Sequence, residues 1–247
     1  MSDKPAYSIS VFFPVYNDAK SIPKLVEAVR PVLEERFEDW EIILVDDGSP
    51  DESPAVVDRL AASDDRIRAV HHPSNRGYGG ALMSGFASAT KDLIFYTDGD
   101  GQYDPRELTL LLEHIEEGDM VNGYKISRSD NALRKVVGRA YHTVNKIMFG
   151  LGTRDVDCDF RLFKRHVIDD IELESDSGAI CVEMMAKVRG HGFKVVETPV
   201  HHYPRMHGSS QFFRPRHIIR TVLRLAHLWI TLILMGGKWR KREKNAE

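Results

Sequence analysis

Short continuous apolar runs alternate with longer amphipathic stretches through the first half of the chain, and that order predicts a fold. Residues 8–13, 41–45, 67–71 and the run from Leu93 to Tyr96 have the length and composition of strands. Between them, Ser21 with Pro23 opens a helical pattern that continues to Glu35, Ser53 with Pro54 opens a second, and Gly80 to Ala89 forms a third. A βαβαβαβ succession predicts an α/β fold with a mostly parallel sheet and helices on both faces. Such sheets bind ligands at the carboxyl ends of their strands. After Gly123 the pattern loosens into expected helices at 133–149 and 182–189 and a strand at 194–200, a half expected to complete an acceptor site.

The polar clusters fall at those strand ends. Tyr16, Asn17 and Asp18 follow the first strand, and Asp46 and Asp47 close the second. After the fourth come Asp98, Asp100, Gln102 and Asp104 at every second position, which in extended backbone would put them on one side. Carboxylates that close repel one another, so the pattern fits a hard divalent cation with oxygen ligands. Asp104 followed by Pro105 is also a helix-opening signature, and that reading suffices for Asp104.

The chain has 247 residues, 42% of them hydrophobic, enough for a sizeable core in the α/β size range. A formal net charge of -3 argues against nucleic acid as a partner. Cys158 and Cys181 are the only cysteines, which fits a reducing compartment. The opening residues show no charged-then-apolar leader, so the expected location is cytoplasmic, peripheral on the inner face of the membrane. The membrane enters through the C-terminal part. From His217 to Met235 the polar residues His217, Arg220, Arg224, His227 and Thr231 form one narrow helical stripe in an otherwise apolar segment, followed by Lys238, Trp239, Arg240, Lys241, Arg242 and Lys244. The apolar part is short for a bilayer span of about 20 residues, so it predicts an amphipathic helix in the membrane interface with a basic tail on anionic headgroups. A helix packed on its own domain or on a second subunit is the alternative. The expected division is a catalytic domain at 1–213 and this helix with its tail at 214–247.

Asn75-Arg-Gly-Tyr-Gly-Gly-Ala81 precedes a helix as a dinucleotide fingerprint would, but Leu82 stands where close packing wants the third glycine. No Gly-Lys-Ser/Thr follows, which excludes a P-loop. What remains is a glycine turn able to approach a nucleotide or sugar closely.

Pro14-Val-Tyr-Asn-Asp18, Val45-Asp-Asp-Gly-Ser49, Asn75-Arg-Gly-Tyr-Gly-Gly80 and Asp98-Gly-Asp100, in that order and spacing, resemble the nucleotide-sugar-binding half of family 2 glycosyltransferases. Asp157-Cys-Asp-Phe-Arg-Leu-Phe163 and Tyr203-Pro-Arg-Met-His-Gly-Ser-Ser-Gln-Phe212 are similar to the dolichol- or polyprenol-phosphate mannose and glucose synthase branch, over about residues 8–213. The resemblance implies a GT-A (Rossmann-like) fold and a GDP- or UDP-sugar donor. Pro14, Tyr16, Asp18, Asp47 and Gly77 would line the nucleotide pocket, with Asp98 towards the ribose and sugar phosphate. Mg2+ or Mn2+ would be held by Asp98, Asp100 and Gln102, and Arg205 would meet the diphosphate. Lys125, Arg134 and Arg139 are the nearest matches to the basic residues that bind a lipid phosphate. The family often has Glu at Asp18, Ala at Gly99 and Lys at Gln211.

A polyprenyl phosphate acceptor attacks through a phosphate oxygen whose second pKa is about 6, so it needs no general base. A hydroxyl acceptor needs one, with Asp157 and Asp159 as candidates and Glu183 behind them. The leading expectation is an inverting, metal-dependent transfer to a polyprenyl phosphate. The others are the same fold serving a lipid or glycan hydroxyl, and a non-catalytic nucleotide-sugar-binding regulator of a membrane partner; a homo-oligomer is also compatible.

Overall fold

The computed structural model describes residues 7–126, 148–204 and 223–231. One seven-stranded sheet organises them: β1 (Ile9–Val15), β2 (Trp40–Asp46), β3 (Ile67–His71), β4 (Leu93–Thr97), β5 (Met120–Lys125), β6 (Phe160–Lys164) and β7 (Val195–Val200), in the order β3-β2-β1-β4-β6-β5-β7. The β1–β2, β1–β4, β2–β3 and β5–β7 pairs are parallel, and β6 runs antiparallel to both β4 and β5. The mostly parallel sheet of the sequence reading is therefore present, with one reversed strand inside it.

Alternation along each strand divides the core in two. Ile9, Val11 and Phe13 of β1, with Ile42 and Leu44 of β2, face α1 (Ile22–Arg36), α2 (Ser53–Ala61) and α4 (Leu108–Leu112). Phe12, Ile43, Ile94 and Tyr96 face α3 (Tyr78–Ser88), α5 (Arg165–Asp170) and α6 (Ala179–Gly190). All seven residues of β1 and of β2 are buried, as expected of strands covered on both faces.

Two strands were not expected from the sequence. β5 and β6 lie where the hydrophobic pattern is broken by Asn122 and Arg161, both fully buried. These residues stand opposite each other, and Arg161 also stands opposite Tyr96. Arg161 Nε donates to Asn122 Oδ1 at 2.9 Å and Nη1 donates to the Tyr96 hydroxyl at 2.8 Å. A polar rung across three strands thus satisfies the guanidinium inside the sheet.

Residues 223–231 are helical and pack on the α6 side through buried Leu225 and Leu228. Trp229 Nε1 donates to the Met148 carbonyl at 2.9 Å. These turns are a helix docked on its own domain, while Leu223 and Ile230 face outward at 65% and 44% exposure. Among the described residues no helix is long and apolar enough to cross a membrane.

Candidate active site

Because β5 and β7 run with β4, and β6 runs against it, one edge of the sheet collects the ends that carry chemistry. The segments after β1, β2, β4, β5 and β7 and the segment before β6 all open there. Thr97 of β4 pairs with Phe160 of β6 as the last rung of that pair, and the chain leads from it into Asp98 on one side and Asp159 on the other. The donor-side and acceptor-side carboxylates of the sequence reading meet at this point.

The acids after β4 do not continue the strand. β4 ends at Thr97 and the chain turns, with Gly101 at φ +77°, so Asp98, Asp100 and Gln102 are presented by a turn and not along one side of extended backbone. Buried Asp100 accepts the Gln102 backbone N–H at 2.9 Å, which fixes the turn. Asp98 Oδ1 accepts the Tyr78 hydroxyl at 2.8 Å. Gln102 is tied to the segment after β7: Tyr203 N–H donates to its carbonyl at 2.8 Å, and its Nε2 donates back to the Tyr203 carbonyl at 3.2 Å. Asp104 accepts the Arg106 N–H and opens the short 3-10 turn Pro105–Glu107, a helix-opening role. A Cβ at Gly99 would come within 2.5 Å of the Pro14 carbonyl, so glycine there lets the ends of β1 and β4 close together.

On the nucleotide side, Pro14 is buried within β1, while Tyr16 and Asp18 are half-buried just beyond it. Asp18 accepts the Tyr16 N–H through its side chain, and through its carbonyl the N–H groups of Ser21 and Ile22 that start α1. Asp47 is buried, and Oδ1 accepts Arg76 N–H at 2.8 Å and Oδ2 accepts Gly77 N–H at 2.9 Å. His72 Nδ1 lies 2.6 Å from the same Oδ1, and His72 Nε2 lies 2.8 Å from Ser84 Oγ. Asp47 therefore anchors the glycine turn to the end of β2.

The glycines of that turn are spent differently from the expectation. Added Cβ atoms at Gly77 and Gly79 would meet the Asp176 and Ser175 carbonyls at 2.4 and 1.9 Å, and Gly79 N–H donates to the Asp176 carbonyl. The close approach they permit is by the protein's own 175–176 backbone. That loop is held by Glu183, fully buried, which accepts Glu174 N–H at 3.0 Å, Ser175 N–H at 2.8 Å and Lys187 Nζ at 2.7 Å. The structure thus places Glu183, expected behind Asp157 and Asp159, on the 174–175 backbone and Lys187. Its signal in the sequence was only the spacing to Lys187, four residues on, which any exposed helical pair shares.

On the acceptor side, Asp157 and Asp159 are half-buried. Burial pushes the Asp157 carboxyl up to about 7, against the pull of Lys125 and with help from Asp155 and Asp159. Asp159 Oδ1 accepts from Cys181 Sγ at 3.2 Å. Lys125 Nζ donates to the Asp157 carbonyl at 2.6 Å and lies 3.9 Å from Asp155 Oδ2. Burial works to lower the Lys125 ammonium's pKa, but Asp155 and the other acids around it carry the balance upward. It is a cation held at the site's edge by the loop it supports. Arg134, Arg139 and Arg205 lie outside the described residues.

Among the described residues no group of three or more His, Cys, Asp and Glu side chains is placed to hold a metal. The set expected from the sequence, Asp98, Asp100 and Gln102, is two carboxylates and a carboxamide on one turn, oxygen donors of the type a hard cation takes.

A sheet of this order, with its acids gathered where the fourth strand meets a reversed one, has the GT-A architecture of glycosyltransferases. The sequence pattern of Glycosyl transferase family 2 matches residues 10–172, more than half of the chain, and the chain belongs to that family. By class it is a nucleotide-sugar-dependent glycosyltransferase. Among solved structures, the fold is similar to glucosyl-3-phosphoglycerate synthase from Mycobacterium tuberculosis in complex with phosphoglyceric acid, at TM-score 0.68 and 16% identity over 92% of this chain and 80% of that one. The same enzyme with Mn2+, UDP and glucosyl-3-phosphoglycerate matches at 0.65 and 16%, over 96% and 82%. Mannosyl-3-phosphoglycerate synthase from Rubrobacter xylanophilus matches at 0.67 and 14%, over 98% and 79%. At these identities the likeness is one of fold.

Proposed function

We propose that this chain moves a sugar from a GDP- or UDP-sugar to a polyprenyl (dolichyl-type) phosphate at the cytoplasmic face of a membrane, with inversion at the anomeric carbon. The observation that carries the reading is the meeting of Asp98 and Asp100 with the 155–159 loop at one sheet edge, beside the cation of Lys125. Asp98, Asp100 and Gln102 would hold Mg2+ or Mn2+, which supplies Lewis-acid neutralisation of the departing diphosphate. The anchored 75–80 turn and the segment after β1 line the nucleotide pocket. Lys125 adds positive potential where an acceptor phosphate would lie, and Arg134, Arg139 and Arg205 are assigned to the anions by sequence alone. Outward-facing Leu223 and Ile230, ahead of the basic residues at 238–244, support docking on an anionic membrane surface.

A second reading is favoured by one feature. A carboxyl pushed up to about 7, as Asp157 is, suits a general base for a hydroxyl acceptor. The similar synthases named with phosphoglyceric acid make a small phosphorylated acceptor its natural form.

Both readings require the metal turn. Asp100→Ala is expected to abolish Mn2+-dependent binding of UDP or GDP while the chain still unfolds in one cooperative transition, at a somewhat lower temperature because the turn loses the Gln102 hydrogen bond. Binding that survives both the substitution and excess chelator would sink the assignment.

A further inference from the structure

Tyr78 stands between two glycines at the start of α3, inside the turn that Asp47 anchors. Its hydroxyl reaches the end of β4 and donates to Asp98 Oδ1 at 2.8 Å. Asp98 follows and Asp159 precedes the Thr97–Phe160 rung, and the charges of both acids bear on the Tyr78 side chain. Asp159 has a neutral donor of its own in the buried Cys181 thiol, from the first turn of α6.

We propose that Tyr78 is a positioning residue for the transfer step: its hydroxyl orients the Asp98 carboxylate. The inference rests on the reading of Asp98 as the donor-side, metal-holding acid. A neutral donor is the right device, because it orients an anion without cancelling the charge that the metal turn uses. Phenylalanine would fill the same volume and lose only the bond, so the role is separable from packing.

The test is Mn2+ binding by the full chain with UDP and then with GDP, read from loss of the free-ion electron paramagnetic resonance signal. Tyr78→Phe is expected to weaken binding roughly 10- to 150-fold, the range for losing one hydrogen bond to a charged group. Its melting temperature is expected to remain close to the parent's. In an Asp98→Asn background the same substitution is expected to have little further effect. Tyr78→Met, which also lacks a donor, is read alongside so that a packing defect in one variant does not decide the outcome. Parent-like affinity in both variants, or an equal loss with and without Asp98→Asn, would overturn the inference while leaving the function standing. A parent chain that binds no Mn2+ with either nucleotide would overturn the reading of Asp98 and the inference with it.

Discussion

Asp157 carries the sharpest consequence at the scale of single residues. An acid whose carboxyl is raised on folding holds its proton more tightly in the folded chain than in the unfolded one. Its contribution favours the fold below about pH 4, the ordinary carboxylate range, and is lost as the pH climbs through about 7. Asp157→Asn is therefore expected to lose less stability than the parent chain between pH 5 and pH 8, by on the order of 1–2 kcal/mol in denaturant titrations. Parallel losses in the two chains would mean that Asp157 titrates as a solvated acid. The residue itself was legible as a candidate because it sits in a compact acidic motif. Its environment was not, since Asp155, Lys125 and the buried wall come from two strands and a loop that only the sheet brings together. Glu183 and Gly79 show the same limit: both look like surface or ligand residues until the 174–176 loop is seen to lie between them.

At the scale of elements, the four strands of the first half were legible because each is a short, mostly apolar run followed by a helix-opening serine-and-proline or glycine signal. β5 and β6 were not, because the rung Tyr96–Arg161–Asn122 places a cation and an amide at fully buried positions, and a hydrophobic pattern takes such residues for surface. The helical segment 223–231 shows a mixed outcome. Its polar stripe was read as one side of an interface helix, yet Leu225, Leu228 and Trp229 are spent on the protein's own core. Leu223 and Ile230 face outward, and the membrane proposal rests on that pair. Leu223→Glu combined with Ile230→Glu is expected to reduce flotation with anionic vesicles several-fold without lowering the melting temperature, because neither side chain is buried. Unchanged flotation would assign membrane contact to another part of the chain, and a large fall in melting temperature would make these residues part of the core.

At the scale of the whole molecule, strand order decides what chemistry is available. Inserting β6 in reverse between β4 and β5 delivers the 155–159 loop to the carboxyl end of β4, so the acids after β4 and those before β6 share one edge. The glycine turn, the 174–176 loop and Glu183 then form a continuous run of contacts from β2 to α6 that braces this edge. That arrangement supports transfer, and the identity of the acceptor is the central claim. The most direct measurement supplies the purified chain and Mn2+ with radiolabelled GDP- and UDP-sugars, and offers polyprenyl phosphate and 3-phosphoglycerate in separate reactions. The account predicts metal-dependent label in an acid-labile, organic-extractable product from one donor. Label found only in a water-soluble phosphorylated sugar product would contradict it and make Asp157 the general base to examine next.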